Sequence, residues 1–415
     1  MRAGLACFAM GWVLGLLAAV VPALGSPGRP DPPTRHRATT AAVDAPPTTA
    51  EPPCVPAPLE QRAAQVLVVG LPGVTGADHP LVADVLDVGV GGVLLTDANV
   101  TDAPQVRTLV DGLRAATDLP LLVAGDEEPG RVSSFGAVLG RSSSARTLAA
   151  RGTPEQVGAF ARQLGARLAD LGVDLDLAPV VDVSDGAAAA IIGDRSFSGD
   201  PSVAARYALA FSRGLADAGV VPTAKHFPGH GRSAADSHRA LGRVDATLAE
   251  LTVTDLVPFV AQIAAGVPVV MVGHVAYDAL DPGLPASLSP SSYQLLRELG
   301  FRGVAITDSL GMGAVNQRWG FAEATIMAVS AGADAVLATD GSQARAMRDA
   351  LVDAVGSGRL DEARLDEAVA RMLALKGLDP HPVVCRDAAI PQTLLPAARG
   401  QMPQRTDPLE PDPEP

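Results

Sequence analysis

Eight short apolar runs, rich in β-branched residues or bounded by glycine, recur along the chain at 66–70, 89–95, 120–124, 175–180, 220–224, 267–272, 303–307 and 333–338. The stretches between them carry apolar residues at helical spacing, as in 154–170, opened by Thr153, and 202–218. Strand followed by helix, eight times over, is what a closed (β/α)8 TIM barrel requires, and it predicts an α/β fold with a single catalytic domain. A doubly wound sheet has no need of eight evenly spread units, and no G-x-G-x-x-G follows the first run. Past the last strand, 343–378 reads as two helices divided by the segment from Gly356 to Gly358, expected to seal the outside or bottom of the barrel.

The two ends break this pattern. An unbroken apolar run from Ala3 to Gly25 follows Arg2, and the small residues Ala23 and Gly25 suit signal-peptidase cleavage, so 1–25 reads as an export signal. An uncleaved anchor is the competing reading, because the run is long enough to span a bilayer. Cys7 in GLAC also resembles a lipoprotein acylation site, although almost no hydrophobic region precedes it. Residues 26–55 are rich in Pro, Thr, Arg and Ala with nothing to seed a core, and read as a tether. The folded domain is expected over 56–378 and a C-terminal extension over 379–415, whose last residues are rich in Pro, Glu and Asp.

Three cysteines are too few for a disulfide scaffold. If the chain is exported, Cys54 and Cys385 flank the folded region in an oxidising compartment and are expected to pair, clasping its two ends. The net charge of −14 excludes a nucleic-acid partner, which demands a basic footprint. It also means that contact with an anionic wall needs a local site. The chain is expected to act as a monomer at or outside the cell envelope, with a possible membrane tether at its N-terminus.

Polar residues collect just past the strand ends: Asp126 and Glu128 after the third, Asp182 and then Arg195 after the fourth, Lys225 and His226 after the fifth, His274 after the sixth, Asp308 after the seventh. In a barrel these positions converge on one mouth. Asp308 follows the apolar run VAI, which suits an ionised carboxylate on rigid backbone, the need of a glycosidase nucleophile; the plainer role is an N-cap. Asp236 and His238 lie two apart in a loop of small residues, where a carboxylate can orient an imidazole for proton donation and recovery. Arg195 offers a forked donor for an acetamido carbonyl, or a salt bridge to Asp194 or Asp200. Asp126 can accept from two vicinal hydroxyls, and Lys225 and His226 can donate to sugar hydroxyls. His230 is expected to brace the loop and His274 to support Asp308. Pro228 and Gly229 between His226 and His230 prevent a regular helix from presenting that pair to a metal. Aromatic residues make up only 3 % of the chain, which favours a pocket for one terminal sugar over a long stacking groove.

KHFPGHG followed by DSH, with IGDRSF upstream and ITDSLGM downstream, resembles the family-3 glycoside hydrolases, specifically their short single-barrel β-N-acetylhexosaminidases, over about 61–377. The Pro-rich tether is similar to that of secreted actinobacterial members. The resemblance implies Asp308 as nucleophile, His238 as general acid/base, Asp236 as its partner, and Asp126, Arg195, Lys225 and His226 as the holders of a terminal N-acetylglucosamine. The loop from Gly229 to His238 would close over the sugar. It implies a retaining exo-hydrolase of peptidoglycan fragments of the GlcNAc-MurNAc type, with no metal and no organic cofactor. Other readings are a β-glucosidase or phosphorylase of the same family, a catalytically silent wall-binding protein, and a metal-dependent hydrolase. Two departures from the family pattern stand out. DEEPGRVSS has Pro129 for a glycine and Ser134 for an arginine, with weaker sugar recognition expected at Ser134, and DSL places Ser309 where a second aspartate is usual. Losing that negative neighbour is expected to lower the pKa of Asp308.

Overall fold

The β-branched runs and the amphipathic stretches between them do alternate as strand and helix. The computed structural model describes residues 54–117, 119–389 and 394–395. The expected export segment, nearly all of the tether and the acidic tail lie outside them. Strands β1 (Leu67–Gly70), β2 (Gly92–Leu95), β3 (Leu122–Gly125), β4 (Leu175–Asp176), β5 (Val221–Phe227), β7 (Val269–Val272), β9 (Val304–Thr307) and β10 (Val336–Ala338) form one parallel sheet, ordered β10-β1-β2-β3-β4-β5-β7-β9. The Ile306–Ala335 bridge joins its two ends, with Thr307 N–H donating to the Ala335 carbonyl at 3.1 Å. The fold is therefore the expected TIM barrel. A ribbon of β6 (Arg243–Val244) and β8 (Ala276–Tyr277), absent from the sequence pattern, lies beside it.

Strand alternation decides which side chains face inward. Leu122 and Ala124 of β3, Val221 of β5, and Val304 and Ile306 of β9 pack together inside the barrel. Each fully buried aliphatic side chain contributes about 1.5–3 kcal/mol. The same alternation continues to Asp126, Lys225 and Asp308 at the C-terminal ends, so the interior stripe that builds the core also aims the polar groups. Met372 and Leu375, from the helix Glu362–Leu375, plug the other end.

The outer helices follow their local signals. Thr153 and Gln156 form a reciprocal capping box at the start of Pro154–Asp170. That helix lies close against Pro201–Asp217 because Gly214 has no side chain: a Cβ there would sit 2.3 Å from the Gly158 carbonyl oxygen. Helices Ala344–Gly356 and Glu362–Leu375 confirm the expected pair at the end of the domain. Buried Asp334, just before β10, accepts from Arg297 at 2.5 Å, Arg364 at 2.7 Å and Arg371 at 2.8 Å, and from Ala305 N–H at 2.9 Å. Cys54 and Cys385 are joined by a disulfide, Cα to Cα 5.7 Å, as expected. Beside it, Ala57 N–H donates to the Val383 carbonyl at 2.9 Å. Among the described residues no helix is long and apolar enough to cross a membrane.

Two expected boundaries are corrected. The fourth strand stops at Asp176 rather than running to residue 180, because Pro179 has no N–H to continue the ladder; only an isolated Val180–Lys225 bridge follows. The fifth strand does not end at Ala224 but runs to Phe227, so Lys225 and His226 lie within it.

Candidate active site

In a regular strand, Lys225 and His226 would point to opposite faces. The pairing of β5 with β7 shifts register between Ala224 and Phe227, and the Lys225–His226 and Phe227–Pro228 peptides are cis. Both side chains reach polar partners on neighbouring strand ends. Lys225 Nζ donates to Asp126 Oδ1 and to Glu128 Oε1, each at 2.6 Å. Glu128 also receives a bidentate fork from Arg195, both bonds 2.7 Å. Two cations and two carboxylates thus form a neutral quartet in which Lys225 and Glu128 are almost wholly buried.

Burial alone would raise the Glu128 carboxyl, but Arg195 and Lys225 overcome it and hold it well below the ordinary carboxylate range. Asp126 moves the other way: burial raises it and Glu128 adds to the rise, against the pull of Lys225. About a third of the Asp126 side chain stays exposed, so a ligand can reach it. Ser134 lacks the positive charge of the usual arginine and instead supports Asp126, its Oγ accepting from the Asp126 N–H at 3.1 Å. Pro129 and Gly130 form the turn of a tight hairpin in which Glu128 N–H donates to the Val132 carbonyl at 3.0 Å.

His226 is oriented from behind. Its Nδ1 is 2.7 Å from Asp182 Oδ2, while Asp182 Oδ1 accepts from the backbone N–H of His226 at 3.1 Å and of His230 at 2.7 Å. This leaves His226 Nε2 facing Arg195 at 3.5 Å. Burial opposes ionisation of Asp182, yet His226 and these donors keep its pKa below the ordinary value. His230 lies with its Nε2 3.4 Å from Ser237 Oγ on the same loop, and burial lowers its pKa.

Asp308 continues β9 beyond Thr307. Its N–H donates to the Val272 carbonyl at 2.9 Å and its Oδ1 accepts from Ser309 N–H at 2.7 Å; it caps no helix. Burial would raise this carboxyl, but the His274 and His226 imidazoles and the Ser309 N–H hold it below the ordinary value. His274 is fully buried and supports the neighbouring backbone: Nε2 donates to the Ser309 carbonyl at 2.8 Å, which leaves Nδ1 to accept from Ser287 Oγ at 2.7 Å. Burial lowers the pKa of His274, against the pull of Asp308.

Asp236 and His238 stand on the loop after β5. Asp236 Oδ1 accepts from both the backbone N–H and the Nδ1 of His238 at 3.0 Å, which turns Nε2 outward on a side chain 72 % exposed. The loop backbone meets the segment that follows Asp308, with Gly313 N–H donating to the His238 carbonyl at 3.0 Å. Arg195 pairs with neither Asp194 nor Asp200, the partners its sequence neighbourhood suggested; Asp194 is taken by Arg131 at 3.2 Å. Sequence reasoning gave no role to Glu128 or Asp182, which organise the cationic groups. For both a signal existed, since each lies among the polar residues just past a strand end; what the sequence did not give is which partner each would hold. Among the described residues no three His, Cys, Asp or Glu side chains cluster as a metal site.

A TIM barrel whose strand ends present an ionised aspartate, an aspartate–histidine pair and a hydrogen-bonding quartet has the form of a glycoside-cleaving enzyme, and residues 58–375 match the glycosyl hydrolase family 3 N-terminal domain. The chain belongs to that family. It is 39 % identical over 356 residues to the beta-hexosaminidase LpqI of Mycobacterium tuberculosis, covering 83 % of this chain and 89 % of that one. The solved structure of M. tuberculosis LpqI superposes with a TM-score of 0.73 at 38 % identity, covering 79 % of this chain and 98 % of the other. A family-3 glycosyl hydrolase from Mycobacterium smegmatis gives 0.72 at 43 % identity, covering 77 % and 97 %.

Proposed function

We propose that this family-3 β-N-acetylhexosaminidase is, more narrowly, a retaining exo-β-N-acetylglucosaminidase that removes the non-reducing-end GlcNAc from peptidoglycan fragments of the GlcNAc-MurNAc type. What supports this reading is the division between two segments: the Asp308 carboxyl is held below its ordinary pKa at the end of β9, and the Asp236–His238 pair stands on a loop whose backbone is hydrogen-bonded to the segment that follows Asp308. The beta-hexosaminidase relatives support the activity class.

In the first step an Asp308 carboxylate oxygen attacks the anomeric carbon as His238 Nε2 gives its proton to the departing glycosidic oxygen. A covalent glycosyl-Asp308 ester forms and the shortened fragment leaves. In the second step neutral His238 takes a proton from water, whose oxygen displaces Asp308 from the same carbon, so two inversions restore the β configuration. Asp236 holds the ring and stabilises its cationic form. Asp126, Arg195, Lys225 and His226 hold the terminal sugar, and none of these steps calls on a metal or organic cofactor. The disulfide fits an exported, cell-envelope location, since such bonds persist in oxidising compartments. The expected division of the chain, with a catalytic domain over 56–378 between terminal extensions, is part of the same proposal.

The test is product analysis on a GlcNAc-MurNAc disaccharide with wild type, D308A and H238A. Free β-GlcNAc is expected from wild type and not from D308A. Release of α-GlcNAc, or undiminished turnover by D308A, refutes the mechanism; preference for a 2-hydroxy over a 2-acetamido aryl glycoside refutes the substrate class.

A further inference from the structure

The loop carrying His238 is joined to the segment that follows Asp308 by three hydrogen bonds, all accepted by consecutive carbonyls of the loop. Ala314 N–H donates to the Ser237 carbonyl at 3.0 Å, Gly313 N–H to the His238 carbonyl at 3.0 Å, and Gln317 Nε2 to the Arg239 carbonyl at 2.9 Å. The donors lie on or beside the short helix Gly313–Asn316. The backbone of the Asp308 segment is itself fixed, with Asp308 N–H on the Val272 carbonyl and Leu310 N–H on the Leu337 carbonyl, both 2.9 Å. The contact depends on an empty position: a Cβ on Gly313 would lie 2.8 Å from both the His238 and Arg239 carbonyl oxygens and 2.9 Å from Gln317 Nε2. Backbone oxygens cannot retreat without moving the loop, so Gly313 is needed for space.

We propose that Gly313 and Gln317 are positioning residues that latch the acid/base loop, once closed, to the nucleophile segment, so that the two catalytic groups share one reference in the latched state. The proposal rests on the roles given above to Asp308 and His238. Neither positioning residue is among the groups assigned above to the sugar or to the reacting atoms. The latch reads only backbone oxygens of the loop, so it is indifferent to the side chains at 237 and 239. Gln317 is exposed, and its replacement leaves the core untouched. Gln317→Glu keeps the shape but has no donor, whereas Gln317→Lys keeps a donor.

The test compares kcat/KM for two β-N-acetylglucosaminides, one with a poor leaving group that needs a proton (GlcNAc-MurNAc) and one that needs little (2,4-dinitrophenyl). Losing one hydrogen bond to a backbone carbonyl corresponds to about 3- to 10-fold in the population of the latched loop. Q317E and G313A are therefore expected to lose about that much on the first substrate and less than about twofold on the second, with KM nearly constant. Q317K should recover most of the loss. Equal losses on both substrates, or wild-type values for both Q317E and G313A, overturn the latch. H238A is measured alongside: if it shows no dependence on leaving group, the acid/base assignment fails; if it does while Q317E and G313A do not, only the latch fails.

Discussion

Replacing Glu128 with glutamine removes one negative charge from the buried quartet while nearly preserving its shape. The wild-type group is neutral: Lys225 and Arg195 face Asp126 and Glu128, with Glu128 accepting three charge-assisted bonds of 2.6–2.7 Å. The variant carries an uncompensated positive charge at sites only 1 % and 13 % exposed on the lysine and arginine. Breaking such a pair costs about 3–5 kcal/mol, and the lower end applies because glutamine keeps one acceptor oxygen. At about 2 °C per kcal/mol for a domain of this size, the thermal midpoint should fall by about 6 °C. KM for the GlcNAc substrate should rise as well, because the fork that orients Arg195 is lost. The pH dependence supplies a second check. A carboxyl whose folded pKa is depressed contributes stability that is complete above its unfolded pKa, about 4.3, and is lost as pH falls toward the folded value. The gap between wild type and E128Q should therefore be full at pH 7 and narrow below about pH 4. Adding Lys225→Met to E128Q restores neutrality, and the double variant should lose at least about 1 kcal/mol less than the sum of the singles. Additive losses, or a midpoint within about 1 °C of wild type for E128Q, would show that the reasoning from charge balance is wrong.

Cys54→Ser opens a covalent loop with a sequence separation of 331 residues; it should cost about 2–5 kcal/mol of stability while leaving kcat/KM unchanged, checked by thermal melts with and without reductant. Asp182→Asn should leave the His226 ring unanchored and raise KM more than it lowers kcat, read from initial rates on an aryl N-acetylglucosaminide. His230 and His274 are buried with depressed pKa values, so they resist protonation in the folded state; stability should fall as pH drops below about 6.5, and His274→Gln should flatten that slope in melts from pH 7.5 to 5.5. A chelator should leave turnover at wild-type levels, because the steps proposed at Asp308 and His238 move only a glycosyl group and a proton, and initial rates with and without chelator check this.

The barrel was legible because its signal is repeated eight times and is local: a β-branched run, a glycine or proline break, then a helical stripe. Thr153 with Gln156, and the segment from Gly356 to Gly358, mark helix limits through backbone chemistry that needs no tertiary context. Asp308 and Asp126 could be read as inward-facing for the same reason, since each extends a strand whose alternate residues are apolar; Lys225 follows Val221 and Thr223 on the same alternation. The register shift within β5 was not legible: it arises from pairing with β7, and it puts His226 as well as Lys225 among polar partners. Nor were the assignments of Arg195 to Glu128 and His226 to Asp182, which join residues 67 and 44 positions apart. Such partners are chosen by the crossing of strand ends, not by neighbours along the chain. The place of the Ser134 hydroxyl, accepting from the Asp126 N–H, was likewise not legible from sequence.

The barrel's closing seam has an uneven fastening. Where most neighbouring strands share a ladder of partners, β9 meets the residues leading into β10 through the isolated Ile306–Ala335 bridge and a few backbone bonds around it, and Asp334 with its three arginines clamps them at the end away from the mouth. Asp308 belongs to that same β9, so a defect far below the sugar pocket, such as loss of the Asp334 charge, would loosen the anvil on which the glycosidic bond is struck. Inherited or engineered changes at the base of this enzyme can thus silence it without altering any group that meets the substrate.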